Sequence, residues 1–503
     1  MTTLQKAETV KGLVSSPAAG RQWKPVIGFG AAILVLILIM MAPFPATLTP
    51  MGRSLLAVLA FMVVIWVSEA MSYPASSVML IISMVGLLGI APAKPGGAPM
   101  GTAKALTLAL SGFSSSAWIL VVAALFIAAA MSTTGLGQRI GLWVLSVVGT
   151  KPRQVILGLM LMSYVLTIVI PAQAANAAAM TAICMSVINS VGLERKKNFA
   201  KSMLITVALA TGVAGLGILT SGAPPIQTAK YISDATKHTI GWLEWAYYGM
   251  PFSIAVGAVL YLLITRLFPA EVDDLPGGRK MVEAKLRELG PMPAREKRLL
   301  GIMAVTIILW ATGMWHPIDT STVAVLALLA LLFPGIGVGT WKELVVKVDW
   351  GTLMLFGGAI SLGQLLLSSG AAKWVSNATV IQLGVGKLSM VLLITVGGAF
   401  FALFSLAFSA RSAAVAALVP TAIGFAQGLA RPDVNVWGLS LILYFAIQFS
   451  VVFPANTPMA MVAYGTDTFE TRDLMKVAIP MTIVAVLLMA LFSATYWRWV
   501  GII

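Results

Sequence analysis

The chain has 503 residues, of which 59% are hydrophobic and 10% are charged, and its formal net charge is +15. A soluble protein carries roughly a quarter charged residues, so this composition excludes an ordinary soluble enzyme and indicates a polytopic membrane protein. The positive charge does not indicate nucleic-acid binding, because the basic residues lie in loops between apolar segments, as in cytoplasmic loops of membrane proteins. Cys184 is the only cysteine, so the chain can form no intrachain disulfide.

Predicted spans follow one another along most of the chain. A helix needs about 20 mostly apolar residues to cross a bilayer. The first such segment, near residues 26–43, is too long for the apolar core of a signal peptide and lacks a clear cleavage site, so we expect it to remain as a helix. The predicted spans lie near residues 26–43, 52–69, 76–92, 115–136, 200–218, 247–268, 298–315, 319–336, 350–369, 437–453 and 477–497.

Two further apolar stretches, 154–192 and 386–430, do not fit as simple spans because small and polar residues break each of them in the middle. The breaks read "PAQAANAAAMT" and "FSARSAAV". Two short helices that meet at a tip inside the membrane would explain both stretches. The predicted fold class is therefore an all-α polytopic membrane protein with about 11 transmembrane helices plus two re-entrant helical hairpins.

The distribution of Lys and Arg predicts the topology. With the N-terminus inside and both broken stretches re-entrant, the basic loops are all cytoplasmic, and the short loops at 44–51 and 314–319, nearly free of Lys and Arg, lie outside. The external loop 229–246 carries Lys230 and Lys237 and is an exception. The basic segments are the N-terminal tail, with Lys6, Lys11, Arg21 and Lys24, and the loops at 137–153, 193–201, 269–298 and 465–476.

These elements divide the chain into four predicted regions. The first is a cytoplasmic N-terminal tail, and the second contains scaffold helices and a first repeat with an inward hairpin. A basic cytoplasmic linker follows, and the last region is a second repeat with an outward hairpin. Their bounds are 1–25, 26–268 with the hairpin at 154–192, 269–297, and 298–503 with the hairpin at 386–430.

An internal repeat relates the two halves of the chain. "MSTTGLGQRIG" around Gly135 resembles "LLSSGAAKWVS" around Gly370, an offset of 235 residues that places Asn176 opposite Arg411. Further on, "SGAPP" resembles "ANTPM" at an offset of 234 residues. Because the predicted span before each hairpin crosses the membrane in opposite directions, these are inverted-topology repeats, which place a site at their interface near the bilayer midplane.

Four polar breaks are the candidate site: "AQAANAAA", "TSGAPP", "SARS" and "PANTP". Helix ends at such breaks expose unpaired N–H and C=O groups. N-terminal ends favour an anion and loop carbonyls favour a cation. The alternative is a set of small-residue patches for helix packing. That alternative explains the alanines and glycines but explains Asn176, Asn456 and Arg411 poorly.

The sequence contains no motif for enzymatic chemistry. H-E-x-x-H, G-x-x-x-x-G-K-[ST] and G-x-S-x-G are all absent. The two histidines, His238 and His316, lie near predicted membrane surfaces, and "VDDLPGG" is better explained as a turn than as a metal-binding aspartate pair. We therefore expect a protein that is not an enzyme and has no cofactor other than a candidate sodium ion.

Several stretches, taken together, resemble one transporter family. "WVSEAMSYPASSVML" is similar to its W-x-[ST]-E-A-x-P-x-P stretch, although Ser72 replaces the first proline. "VDWGTLMLFGGAISLGQLLLSSGAAKWV" is similar to its I-x-W-x-x-L-L-L-F-G-G segment, and "SGAPP" and "ANTP" are similar to its two G-T-P-P loops. In order and spacing these motifs resemble the divalent anion:sodium symporter family, the INDY-type dicarboxylate and citrate carriers of the ion transporter superfamily, over about residues 60–490.

The resemblance implies two hairpins with Ser-Asn-Thr tips, which bind sodium ions and substrate carboxylates together with the two Pro-containing loops. It also implies a homodimer whose transport domains move as elevators against a fixed scaffold. Carried over residue by residue, it implies substrate binding by Asn176, Arg411, Ser412, Thr457, Pro458, Ala223 and Pro224, and a sodium site at Asn176 and Gly222.

The chain departs from the family pattern at both tips, which read "ANA" at 175–177 and "ARS" at 410–412. Since most of the tip hydroxyls are lost, we expect sodium coupling to be weakened or replaced by Arg411. Its guanidinium is effectively always charged and can bind a carboxylate in bidentate fashion. The alternative is that Arg411 pairs with a carbonyl or a protein carboxylate, for which Glu69 is best placed, and only fixes the hairpin.

The predicted function is secondary active transport of small organic anions, with di- or tricarboxylates expected, by an elevator-type alternating-access mechanism. The expected location is a bacterial cytoplasmic (inner) membrane, with the N-terminus inside. The expected partners are a small anionic substrate, the lipid bilayer and a second copy of the chain, and no nucleic acid. Three alternatives stay open: an anion exchanger, a transporter for an inorganic oxyanion or sulfonate, and an anion channel.

Overall fold

A computed structural model describes residues 23–45, 47–92, 96–274 and 278–503. The basic tail residues Lys6, Lys11 and Arg21 lie outside these described residues. Within them the secondary structure is helical, apart from one isolated bridge between Pro92 and Pro99. Eight of the described helices are long and apolar enough to cross a membrane. The all-α membrane fold is therefore confirmed, and the number of 11 spans stays a prediction.

The N-terminal helices precede the first repeat, and their apolar side chains are partly exposed, as expected for a lipid-facing surface. Thr49 caps the second of them, because its side chain accepts a hydrogen bond of 3.0 Å from the Gly52 amide. The bounds are α1 Trp23–Met41, α2 Pro50–Ser68, α3 Tyr73–Ile90 and α4 Thr102–Ala109, followed by a 3-10 turn at Ser111–Ser114.

The first repeat contains the first of the two broken stretches, and the break lies where the sequence predicts it. Two helices separated by three residues form hairpin 1 (α7 and α8). The predicted span at 200–218 is shorter, because α9 ends at Ala214 and two 3-10 turns follow. The bounds are α5 Ser116–Thr134, α6 Leu136–Val148, α7 Pro152–Val169, α8 Gln173–Val191, α9 Asn198–Ala214, α10 Ala223–Thr236 and α11 Trp242–Leu267.

The connecting segments contain more helix than the sequence predicts. The predicted external loop 229–246 is helical as far as Thr236, so that Lys230 lies on α10 and pairs with Asp234 at 2.5 Å. The predicted linker 269–297 carries a further helix. The bounds are α12 Gly278–Glu288, α13 Ala294–Ala311, α14 Thr320–Leu332 and α15 Trp341–Val345.

The second repeat contains hairpin 2 (α18 and α19), whose helices are separated by Leu406–Ala410. The predicted span at 437–453 is a helix only as far as Ile447, and an irregular segment follows. The bounds are α16 Trp350–Ser368, α17 Ala371–Leu383, α18 Met390–Ser405, α19 Arg411–Gly428, α20 Val436–Ile447, α21 Pro458–Tyr464, α22 Thr471–Ala494 and α23 Tyr496–Trp499.

The two repeats have the same order of helices, α5–α11 in the first and α16–α22 in the second. Gly135 and Gly370 separate the first two helices of each repeat with φ values of 80° and 75°. This left-handed conformation is open to glycine without steric cost, which explains why a glycine stands at both positions.

The structure corrects the predicted pairing of Asn176 with Arg411. The connection between α17 and α18 is three residues longer than the one between α6 and α7, so the offset rises from 235 to 238 residues inside the hairpins. Gln173 and Arg411 are the first residues of α8 and α19, and Asn176 corresponds to Ala414. The correct counterpart of Arg411 is therefore Gln173.

Packing between the repeats brings both hairpin tips together. α8 of hairpin 1 packs against α21 of the second repeat, and α19 of hairpin 2 packs against α10 of the first repeat. α9 and α20, which precede the irregular segments, are almost wholly buried. The hairpin tips and the irregular segments thus converge in the interior of the molecule.

Candidate functional site

A cavity of about 670 Å³ lies where the two hairpin tips meet. Hairpin 1 contributes residues 171–175, and hairpin 2 contributes residues 410–412. The helices that follow the irregular segments contribute the starts of α10 and α21, and α3, α5 and α16 complete the wall. Both repeats therefore build one site, as the repeat pattern predicts.

The N-termini of α8 and α19 open directly onto this cavity. Their N-cap residues are Ala172 and Ala410, and neither helix has a side-chain cap. Alanine carries no oxygen that could accept a hydrogen bond from the first turn, so the first amide N–H groups stay free. Free N–H groups and the positive end of the helix dipole form a site for an anion. One such site comes from each repeat.

The other two helix starts contribute shape more than hydrogen-bond donors. α10 begins after Gly222, and Pro224 and Pro225 in its first turn have no N–H to offer. Thr457 is fully buried and caps α21, because its side chain accepts a hydrogen bond of 3.3 Å from the Ala460 amide. Of the loop residues named from sequence, Gly222, Ala223, Pro224 and Pro458 line the cavity and Thr457 does not.

Arg411 lies between the cavity and the helices behind it, with 6% of its surface exposed. Its Nη1 donates a hydrogen bond of 2.6 Å to Oε1 of Gln448, and its Nε has no partner among the described residues. No carboxylate of the described residues lies within ion-pair distance of it, and Glu69, the acidic partner proposed from sequence, is exposed and does not pair with it. The positive charge is thus buried without a counter-charge.

Asn176 faces the interior of hairpin 1, away from the cavity. It is fully buried, and its Nδ2 donates hydrogen bonds to Oγ1 of Thr167 at 2.8 Å and to the Ser163 carbonyl at 3.4 Å. Its Oδ1 has no partner among the described residues. An acceptor oxygen without a partner is suited to bind a cation and not to contact an anion directly.

Ser412, unlike Asn176, lines the cavity.

Gln173 lines the cavity but is not among the site residues predicted from sequence. It is the first residue of α8, and its amide makes no hydrogen bond within the described part of the chain. Its side chain lies on Gly215, where a Cβ would overlap Nε2 of Gln173. Gln173 lies in the polar break "PAQAANAAAMT" that the sequence analysis marked. Only the helix boundary shows that Gln173, and not Asn176, is the counterpart of Arg411 in the other repeat.

Charged residues from the segment before α16 also reach the cavity. Lys347 lines it and makes no side-chain ion pair with a described residue. Asp349 lines it as well, but its carboxylate caps α16 through Thr352, with hydrogen bonds of 3.1 Å to the amide and 2.5 Å to the hydroxyl. Asp349 lies in the "VDWGTLMLFGG" stretch that resembles the family, but nothing in the sequence marks either residue as part of the site.

A cation at this site would need oxygen ligands from the backbone and from neutral side chains. The described residues contain no cluster of three or more His, Cys, Asp or Glu residues that could hold a metal ion. Near hairpin 1 the Oδ1 of Asn176 is an uncommitted acceptor, whereas its counterpart in hairpin 2 is Ala414, which has no side-chain oxygen. The two repeats therefore differ in their capacity for a cation.

The buried helices, the paired hairpins and the anion-compatible cavity define a multi-pass membrane transporter. The chain belongs to the family described as the sodium:sulfate symporter transmembrane region, whose model matches residues 24–503. It is 40% identical to a membrane protein of Cupriavidus necator over 493 residues, which are 98% of this chain and 95% of the other.

Two further relatives have names that state a substrate. The chain is 24% identical to the sodium-dependent dicarboxylate transporter SdcS of Staphylococcus saprophyticus, over 93% of this chain and 90% of that one. It is 27% identical to the L-tartrate/succinate antiporter of Escherichia coli, over 74% of this chain and 76% of that one. The protein is therefore a secondary transporter of anions and not an enzyme.

Proposed function

We propose that the protein transports small organic anions, with di- or tricarboxylates as substrates, by elevator-type alternating access. The observation that carries this proposal is the cavity itself, onto which two uncapped helix N-termini open and beside which a guanidinium is buried without a counter-charge. A carboxylate at each end of the substrate would accept hydrogen bonds from one hairpin tip. The two relatives named for dicarboxylates, tartrate and succinate support this substrate class.

The guanidinium of Arg411 takes over the role of a sodium ion at hairpin 2. A cation within 4 Å of it would be repelled by roughly 4 kcal/mol at an effective dielectric constant near 20. At most one sodium ion then remains, near Asn176 of hairpin 1. We expect the carrier to need fewer sodium ions than a typical sodium symporter of this family, or to work as an anion exchanger without sodium.

A fixed internal charge also favours exchange over net transport. An unpaired arginine near the bilayer centre costs at least roughly 2.5–3.5 kcal/mol. A bound anion offsets this cost, so the loaded site crosses the membrane more easily than the empty one. A carrier of this kind releases one anion efficiently only when another takes its place.

The alternating-access step moves the hairpins against the wall formed by α3, α5 and α16. With the N-terminus inside, we infer that the cavity faces the cytoplasm, because its lining includes Ser132 near the end of α5 and Thr352 near the start of α16, and the predicted topology places both of these helix ends on the cytoplasmic side. A hydrogen bond of 2.7 Å joins the hydroxyl of Tyr73 on α3 to Oγ of Ser409 at the tip of hairpin 2. A homodimer in the bacterial inner membrane completes the proposal.

The test uses the purified protein in proteoliposomes, with labelled succinate outside and unlabelled succinate inside. A carrier gives saturable uptake that is accelerated by the internal substrate. Single-channel currents in a planar bilayer would contradict the carrier and favour the anion-channel alternative. Competition by sulfate but not by succinate, malate or citrate would contradict the organic substrate class and favour an inorganic oxyanion.

A further inference from the structure

The partner of Arg411 in this structure is an amide and not a carboxylate. Gln448 follows the last residue of α20 and begins the irregular segment that leads to α21. Its side chain is buried, with 5% of its surface exposed, and its Oε1 accepts the 2.6 Å hydrogen bond from Nη1 of Arg411. The contact joins the tip of hairpin 2 to the helix that lies behind the cavity.

The surroundings leave the guanidinium little freedom. Gly212 on α9 gives room for it, since a Cβ there would lie only 3.2 Å from Nη2 of Arg411. A residual space of about 10 Å³, large enough for about one water molecule, lies beside Arg411 and Gln448 between α9, α20 and α22. Nε of Arg411 and Nε2 of Gln448 are both buried without a partner among the described residues. The side chain of Gln448 is therefore the only side-chain hydrogen-bond partner of Arg411 within the described residues.

An amide and a carboxylate at this position would have opposite effects on the charge of the site. A glutamate has the same length and shape as glutamine, and it would form a buried ion pair with Arg411. The pair would be neutral, and a neutral pair offers no net attraction to an anion and no net repulsion to a sodium ion. The amide accepts one hydrogen bond, which orients the guanidinium, and leaves the positive charge in place.

We propose that Gln448 is the positioning residue that keeps Arg411 oriented and un-neutralised, so that the guanidinium serves the site as a built-in cation. This rests on the proposed function of Arg411 in anion transport. Gln448 does not line the cavity of about 670 Å³ and acts on the substrate only through Arg411. The identity of the residue at position 448 then decides whether the second repeat carries its own cation or needs one from solution.

The experiment compares Gln448→Glu, Gln448→Met and Gln448→Asn in proteoliposomes with succinate as the probe. We expect Gln448→Glu to raise the succinate KM at least tenfold without sodium, and we expect added sodium to restore part of the affinity. Gln448→Met removes the hydrogen bond but adds no charge, so we expect a smaller rise in KM, of about threefold to tenfold, without a response to sodium. Gln448→Asn keeps the amide and is expected to lie closest to the wild type.

Gln227 provides the matched control. It is also a fully buried glutamine, but it lies on α10 and donates its hydrogen bond to Tyr231. Gln227→Glu makes the same chemical change away from Arg411 and should create no sodium response. Thermal unfolding of each variant without substrate separates a loss of folding from a loss of affinity.

Wild-type succinate affinity in both Gln448→Glu and Gln448→Met would overturn the inference. An equal sodium response in Gln448→Glu and Gln227→Glu would overturn it too, because the effect would then come from any buried carboxylate. Absence of anion transport by the wild type has a different meaning, since it would contradict the proposed function itself.

Discussion

Arg411 shows how one residue can replace a component of a binding site. It stands at the first position of an uncapped helix, it is buried, and it has an amide as its side-chain partner. The helix N-terminus and the burial both disfavour a cation, and the amide partner leaves the charge un-neutralised. A burial of this kind is expensive unless an anion offsets it, and the cavity next to Arg411 gives an anion access.

Substitution of Arg411 tests the role of its charge and its shape separately. Arg411→Lys keeps the charge but loses the planar fork, so we expect the affinity for succinate to fall about tenfold. Arg411→Asn removes the charge, and we expect it to lose most binding and to regain some with added sodium. Thermal shift with succinate, with and without sodium, measures both. Unchanged affinity in Arg411→Asn would leave Arg411 as a structural residue of hairpin 2.

The tip of hairpin 1 offers two candidate residues, and a pair of variants distinguishes them. Gln173 lines the cavity with a free amide, so Gln173→Ala should weaken succinate binding by about fivefold to tenfold through loss of a hydrogen bond. From sequence we expect Asn176→Ala to weaken binding, and its orientation predicts that this loss acts through sodium. Titration of each variant with succinate at two sodium concentrations distinguishes a direct contact from an effect through sodium. Wild-type succinate binding in both variants would remove hairpin 1 from the site.

At the scale of elements, the short helices after the irregular segments hold the site together from behind. α21 has only seven residues and begins with Pro458, and the Thr457 hydroxyl satisfies one of its first amide groups. α10 lies on α16, where the hydroxyl of Tyr231 donates a hydrogen bond of 2.6 Å to the Ala359 carbonyl. We expect the Thr457 cap to affect the stability of the fold and the Tyr231 contact to affect the movement of the hairpins.

Thr457→Val keeps the shape of the side chain and removes the cap of α21. We expect it to lower the free energy of unfolding by about 1 kcal/mol, measured as a lower temperature of thermal unfolding. From sequence we also expect Thr457 to contact the substrate, and the succinate KM of the same variant tests that role. An unchanged KM in the destabilised variant would limit Thr457 to capping.

The contact between α10 and α16 must break if the hairpins move as an elevator. The ring of Tyr231 sits on Gly363, and its hydroxyl bond to α16 favours the conformation seen here. Tyr231→Phe should weaken that conformation by about 1 kcal/mol, or roughly fivefold in population. The measurement places a cysteine in the cavity by Ser132→Cys, in a chain whose own cysteine is removed by Cys184→Ser. A thiol reagent added on the cytoplasmic side should then label this cysteine more slowly in Tyr231→Phe than in the chain that keeps Tyr231. Tyr247→Phe, at an exposed tyrosine, is the control, and equal labelling in all variants would contradict the movement.

The whole molecule is asymmetric in charge although its two repeats are alike in fold. The first repeat presents neutral Gln173 and the uncommitted oxygen of Asn176, and the second presents Arg411 with Gln448. Net transport driven by several sodium ions requires cation sites in both repeats. The asymmetry predicts a carrier with one sodium ion or none.

Uptake across a sodium gradient, with the membrane potential clamped, measures this asymmetry. We expect a hyperbolic sodium dependence or none, and exchange of internal for external succinate to be faster than net uptake. A steep, sigmoidal dependence on sodium would show that at least two sodium ions bind and that Arg411 does not replace one. Arg411→Asn in the same assay should move the dependence toward the sigmoidal form.

Hydropathy and chain breaks were enough to predict the membrane fold, the two hairpins and the repeat, because both are local properties that persist wherever the segments pack. The sequence also marked Arg411, since a charge in an apolar stretch is costly in any arrangement. The hydrogen-bond partner of Arg411 could not be predicted in this way, because Gln448 is 37 positions away, lies in no motif and reaches Arg411 only through packing of the helices. The tertiary structure also replaced Asn176 by Gln173 as the counterpart of Arg411, because three additional residues before α18 shift the alignment of the two hairpins by almost one helical turn.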